Sequence, residues 1–246
     1  MNEMILIGLC FFSIAVLYST VGHAGASGYL ATMALLAFSP DVMKPTALAL
    51  NIVVALVTSY RFYTAGLFSW RLFRPFAVTS VPLAYLGGGL TVNSDIYRLL
   101  VGSALLFSAV YLIIRYRALG SNDTEIRLPG IPISLIVGGV IGFVSGLTGV
   151  GGGIFLSPVL VIARWAGLRQ TSALAAFFIL VNSISGLVGH LQKGGTVPEN
   201  LPVWGILVLA GGFIGASLGA TKINNPVLRV LLSIILAFAG IKMAVI

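Results

Sequence analysis

The chain has 246 residues, 58% of them hydrophobic and 8% charged, with a mean hydropathy of +1.07 and a formal net charge of +8. A soluble domain of this size cannot hide so much apolar surface, so the composition excludes a water-soluble fold and predicts an all-α integral membrane protein, one domain over 1–246. The basic residues are scattered at the ends of apolar runs rather than gathered on one face, which excludes nucleic acid as a partner and leaves the lipid bilayer as the expected one.

The first apolar run, residues 4 to 20, has no Lys or Arg before it and no clear cleavage site after it, and is expected to stay as a helix rather than act as a signal peptide. Cys10 lies inside it and has no second cysteine to pair with. A glycine-rich break follows, Val21-Gly22-His23-Ala24-Gly25-Ala26-Ser27-Gly28, and then a short apolar segment over 29 to 39. Longer segments occupy 45 to 65, 75 to 92 and 97 to 114. The stretch 115–129, with Arg117, Ser121, Asn122, Asp123, Glu125 and Arg127, is polar and reads as a linker. The order then repeats: a run over 131 to 148, a second break at Thr148-Gly149-Val150-Gly151-Gly152-Gly153, a short segment over 154 to 163, and longer ones over 171 to 191, 202 to 221 and 227 to 245.

The halves, 1–114 and 130–246, also match in detail: Thr46-Ala47-Leu48-Ala49 against Ser172-Ala173-Leu174-Ala175, Ser59 against Ser185, Gly88 against Gly219, and Arg98 against Arg229. Duplication is the simplest account. If sides alternate along the chain, Lys44, Arg98, Lys193 and Lys242 fall on the side of the N-terminus. Arg61, Arg71, Arg74, Arg115, Arg117, Arg127, Arg164, Arg169, Lys222 and Arg229 fall on the other. The positive-inside rule then puts the linker in the cytoplasm and both termini outside. A short segment of roughly 15 Å need not span a hydrocarbon core of about 30 Å, but whether it crosses or re-enters, the chain returns to the side it came from. The second half therefore enters from the opposite face, which makes the repeats inverted.

Two broken hydrophobic segments at corresponding positions of two halves point to a transporter with its substrate site where the breaks meet. Glycines inside lipid must be buried in protein or face water, and the helix N-termini that follow them, near Tyr29 and Ile154, offer free N–H groups and a partial positive charge. The expected ligand is a small-molecule anion. All six acidic residues (Glu3, Asp41, Asp95, Asp123, Glu125, Glu199) lie at ends or in loops, so no membrane carboxylate is available to coordinate a metal, and no cofactor is expected. The candidate substrate-binding residues are Gly22, His23, Gly25, Ser27 and Gly28 in the first break and Thr148, Gly149, Gly151, Gly152 and Gly153 in the second. Asn51, Thr58, Asn182 and Ser185 join them from the third segment of each half, with Ser183 beside them. The bland reading of those polar groups is helix-to-helix hydrogen bonding. The spacings Gly138-Gly142-Gly146 and Gly211-Gly215-Gly219 read instead as packing seams. His23 is either a pH-responsive group or a hydrogen-bonded structural one, and His190 is expected near the outer surface.

At these residues, above all Ser145-Gly-Leu-Thr-Gly-Val-Gly-Gly-Gly-Ile-Phe-Leu-Ser-Pro158 and the helix start at Thr171-Ser172-Ala173, the chain resembles the TauE/SafE family of sulfite-exporter-like membrane proteins, also called the toluene-sulfonate uptake permease family. The first half departs from the motif, with Ala24 and Ala26 between its glycines. The resemblance implies a secondary transporter of sulfite, thiosulfate, sulfoacetate or other organosulfonates in a bacterial or archaeal inner membrane. Alternating access, with a proton or sodium ion as the coupling partner and a homo-oligomer as one permitted assembly, is the expected mechanism. Carboxylate transport and an anion channel are the alternatives. An enzyme is not expected, since two histidines and one cysteine form no recognisable catalytic set.

Overall fold

A computed structural model describes residues 2–117, 127–221 and 226–245. All regular structure among the described residues is helical: α1 Asn2–Ser19, α2 Ala26–Leu35, α3 Pro40–Thr64, α4 Trp70–Gly89, α5 Ser94–Arg117, α6 Ile131–Thr148, α7 Gly153–Ile162, α8 Leu168–Gln192, α9 Leu201–Thr221 and α10 Pro226–Val245. Most of the expected 115–129 linker lies outside the described residues. Pro40–Thr64, Ile131–Thr148, Arg169–Gln192 and Leu201–Leu218 are long and apolar enough to cross a membrane. The chain is thus a multi-pass membrane protein.

Two helices, α3 and α4, begin five residues earlier than the apolar pattern suggests. Ser39, in extended backbone, precedes Pro40 at the first helical position of α3, where its missing N–H costs nothing. Ser69 caps α4 by accepting from the Leu72 amide at 3.4 Å, so a polar first turn with Arg71 precedes Pro75.

The most extensive helix pairings map onto one another when the halves are exchanged. α1 packs on α9 as α6 packs on α4, and α3 packs on α9 as α8 packs on α4. α3 meets its counterpart α8, and α5 meets its counterpart α10. Glycine makes the close approaches possible. Gly138, Gly142 and Gly146 of α6 sit on the backbones of Phe76, Ser80 and Ala84, so α6 and α4 run parallel. Gly211 and Gly215 of α9 sit on Phe12 and Val16, so α9 and α1 also run parallel. The seam role expected of both ladders holds at these positions; side chains near Gly219 lie outside the description. Thr79 and Ser185 tie α4 to its neighbours by donating to Leu135 O and Val81 O, each at 2.6 Å. α3 and α8 cross antiparallel, with Asn51 opposite Ser183 and Leu48 against Gly186. Outward positions such as Val78, Ile136 and Ile206 are exposed and apolar, as a lipid-facing surface requires.

Candidate functional site

The second break turns the chain from α6 into α7 by three glycines in left-handed backbone, Gly149, Gly151 and Gly152, with φ of 84°, 80° and 80°. A side chain at such φ values is strained, which explains the run of glycines. The amides of Gly151, Gly152, Gly153 and Ile154 donate to no acceptor among the described residues. They form an open row of N–H groups at the positive end of α7.

Polar side chains of α3 and α8 stand beside the first of these glycines, Gly151. A Cβ placed on Gly151 would stand 2.7 Å from Asn51 Nδ2 and 3.1 Å from Ser183 Oγ. Asn51 Nδ2 lies 3.4 Å from Ser183 Oγ, at the limit of a hydrogen bond, and Asn51 Oδ1 has no partner although the residue is fully buried. Asn182 donates to Phe178 O at 2.9 Å and likewise leaves its Oδ1 unpaired. Thr148, the last residue of α6, donates to Val144 O at 2.7 Å, while its own carbonyl accepts from Tyr97 OH at 3.1 Å.

The first break is built differently. Gly22 and Gly25 take left-handed φ of 80° and 104°, and side chains of α1 and α2 crowd Gly25 and Gly28. A Cβ on Gly25 would meet the Tyr29 ring at 2.9 Å, and one on Gly28 would meet Ile14 at 2.5 Å and Tyr18 at 3.3 Å. Ser27 donates to Tyr18 OH at 3.0 Å, and Tyr29 OH donates to Ala24 O at 2.8 Å. His23 is buried, with Nδ1 3.2 Å from Val21 O and Nε2 3.2 Å from Ser157 Oγ on α7. Ser157 also donates to Gly153 O at 2.8 Å. One imidazole thereby joins the first break to the first turn of the helix that follows the second.

Each break rests on the start of the other half's third helix. Gly22 lies against Ser172 of α8, and Gly149 against Lys44 and Ala47 of α3. Lys44, expected in an outer loop, is instead buried in the second turn of α3 and donates to Leu90 O at 2.9 Å. Thr58 donates to Val54 O at 2.8 Å, and Ser185 is committed to Val81, so these two have the helix-bonding role. The structure gathers Thr148, Gly149, Gly151, Gly152, Gly153, Asn51 and Ser183 in one place, with His23 one helical turn away through Ser157. Sequence reasoning missed Ser157 and Tyr97: Ser157 sits in the apolar run Gly153–Ile162, and nothing in its spacing signals a partner 134 positions distant. Among the described residues no Asp or Glu is buried, and no cluster of His, Cys, Asp and Glu could hold a metal ion.

A bundle of long apolar helices that buries two glycine-broken hairpins between its halves has the construction of a membrane transporter. Residues 7–243 match the sulfite exporter TauE/SafE family, and the chain belongs to that family of membrane transporters. It is 42% identical over 245 residues to a probable membrane transporter protein of Sinorhizobium fredii, covering 98% of both chains. It is also 28% identical over 222 residues to a probable membrane transporter protein of Methanocaldococcus jannaschii, covering 83% of this chain and 80% of the relative. No solved structure matches it.

Proposed function

We propose that the protein is a secondary transporter of sulfur-containing oxyanions, sulfite, thiosulfate and organosulfonates such as sulfoacetate, and that it binds them at the second break. The observation that carries this reading is the row of unpaired amides at Gly151 to Ile154, with the Asn51 carboxamide and Ser183 beside Gly151, in an interior without a buried carboxylate among the described residues. Backbone N–H groups at a helix N-terminus favour a compact anion, and the left-handed glycines let it approach the main chain closely. The name of the family supplies the sulfur.

The mechanism is alternating access by one group of helices moving against the other. Parallel α1 with α9, parallel α4 with α6 and antiparallel α3 with α8 are the directions that an inverted pair of halves requires, so the breaks reach the interior from opposite faces. We place the protein in a bacterial or archaeal inner membrane with both termini outside and the linker in the cytoplasm, following the distribution of Lys and Arg. Export of an anion runs on membrane potential alone, at about 2.3 kcal/mol per charge per 100 mV, whereas uptake needs a coupled cation.

Counterflow of labelled sulfite, thiosulfate and sulfoacetate in proteoliposomes, against acetate as competitor, tests the assignment. The wild type exchanges the sulfur anions saturably, and Gly152→Leu, whose side chain would drive into Phe178 and Ile141, loses exchange by at least about tenfold while still inserting. Exchange of acetate alone makes the protein a carboxylate carrier; unaltered exchange by Gly152→Leu removes the site from the second break.

A further inference from the structure

We infer that the end of the molecule where α3 stops and α4 and α8 start carries a site for the phosphate headgroup of an anionic phospholipid, seated on Arg71 and Arg74 of α4 beside Trp70. The site is separate from the interior anion and does not depend on what the protein carries. Charge is sorted along the molecule. Arg61 closes α3, Arg71 and Arg74 lie in the first turns of α4, Arg164 follows α7 and Arg169 opens α8, and none of the five forms an ion pair among the described residues. These helix ends share one side of the bundle: Tyr63 and Phe177 pack together at 6.1 Å, and Trp165 lies 6.0 Å from Phe76. Among the described side chains, the carboxylates Asp41, Asp95 and Glu199 are exposed at the opposite side, where Lys44 meets Leu90 O and Gly89 meets Lys193. The arginine-bearing end therefore presents positive charge with nothing of its own to neutralise it.

The faces that hold the arginines decide the ligand. Arg71, Arg74 and Val78 are spaced three and four apart on α4, all exposed, and Val78 belongs to the outward apolar surface. Arg74 stands over the Trp70 ring at 5.8 Å, and exposed Trp70 is fixed edge-on against Phe68 at 4.9 Å. Phe68 in turn packs on Phe177 at 4.0 Å and on exposed Tyr63 at 6.2 Å. Exposed Trp and Tyr rings at the border of an apolar face are the arrangement of a belt at headgroup level. A guanidinium held over a ring keeps its N–H edge free for two oxygens of a phosphate, and the Trp70 indole N–H, which meets no acceptor among the described residues, adds a donor. Arg61 has the same outward setting, 4.6 Å above Phe213 on the exposed apolar face of α9 that includes Ile206 and Leu209. These arginines border the acyl-chain surface rather than the interior breaks, which favours a charged headgroup carrying its own tails over a free anion. The other half lacks the device: α9 opens Leu201-Pro202-Val203-Trp204-Gly205 without a charge, and Trp204 is buried, with Nε1 donating to Met4 O at 3.3 Å. On the proposed topology the arginine-bearing end meets the cytoplasmic leaflet, whose surface potential is negative.

The test titrates the purified full chain, in a neutral detergent, with phosphatidylglycerol and separately with phosphatidylcholine of the same acyl chains, and counts bound lipid by native mass spectrometry. The wild type binds its first phosphatidylglycerol at least about tenfold more tightly than phosphatidylcholine, and added salt reduces the preference. Arg71→Gln combined with Arg74→Gln lowers the affinity for that first phosphatidylglycerol by at least about fivefold, with phosphatidylcholine binding and the Tm in lipid-free detergent unchanged. Lys193→Gln, exposed at the opposite end, keeps the wild-type preference. Equal binding of the two lipids by the wild type, an unchanged preference in the double variant, or an equal loss in Lys193→Gln overturns the site. Displacement of phosphatidylglycerol by an equimolar amount of inorganic phosphate overturns the lipid assignment and makes the arginines a seat for soluble anions. Where the double variant fails to insert, Arg74→Gln alone decides: a loss of at least about threefold supports the site, and an unchanged affinity overturns it.

Discussion

Asn51 shows most clearly how a residue here departs from what stability alone would select. Its carboxamide is fully buried, makes one long contact with Ser183 through Nδ2, the atom that stands beside Gly151, and leaves Oδ1 unpaired. An unsatisfied buried acceptor costs about 1–3 kcal/mol, and the end of the carboxamide that could serve an anion is the donor Nδ2, which stands nearest Gly151. Asn51→Leu, similar in volume, is expected to leave thermal unfolding unchanged or raised while weakening thiosulfate binding by about tenfold, as calorimetry on the purified protein would measure. A destabilised variant that binds normally would return Asn51 to a structural role. The break glycines and Asn51 were legible in the sequence because a glycine run or an amide inside an apolar segment is conspicuous. Ser157 was not, since a lone serine in an apolar helix ordinarily bonds its own preceding turn, as Ser157 also does. Lys44 was misplaced for a related reason: a lysine beside a proline reads as a loop, yet helix α3 begins at Pro40 and takes the ammonium to the end of α4.

At the scale of elements, the ten apolar segments all became helices, and the glycine ladders became seams. Periodicity marks a small-residue face but does not name the helix that meets it, so the partners of α6 and α9 emerged only in three dimensions. The start of α4 was underestimated because Arg71 and Arg74 dilute its first turns, whereas the Ser69 cap defines the boundary. The seams make a graded prediction. A Cβ on Gly142 would stand 2.5 Å from the Ser80 Cα, so Gly142→Leu forces α6 off α4 and costs at least about 1–3 kcal/mol, seen as a lower Tm in detergent. Gly205 has open space around its Cβ position, and Gly205→Ala is expected to be neutral or slightly stabilising by helix propensity. Equal Tm values for the two variants would contradict the tight seam.

For the whole molecule, the exchange symmetry of helix pairing and the helix directions are what two inverted halves produce. The sequence suggests such a repeat through matched stretches such as Thr46-Ala47-Leu48-Ala49 and Ser172-Ala173-Leu174-Ala175, which both fall near the starts of the helices α3 and α8 that pack together. The inequality of the two breaks was only half visible. The sequence shows His23 and Ser27 as extra polar groups in the first break, and in the structure Ser27 is absorbed by Tyr18 while His23 reaches Ser157 of α7.

The central claim, that the halves enter from opposite faces and bring their breaks to one interior site, is tested most directly on two corresponding loops. Ala65 between α3 and α4 and Lys193 between α8 and α9 are both exposed at helix ends. With exposed Cys10 replaced by Ser, single cysteines are placed by Ala65→Cys and Lys193→Cys and labelled with a membrane-impermeant maleimide in whole cells and in inverted vesicles. The account predicts that Lys193→Cys reacts in whole cells and Ala65→Cys only in inverted vesicles. Labelling of both from the same face would make the repeats parallel and contradict it.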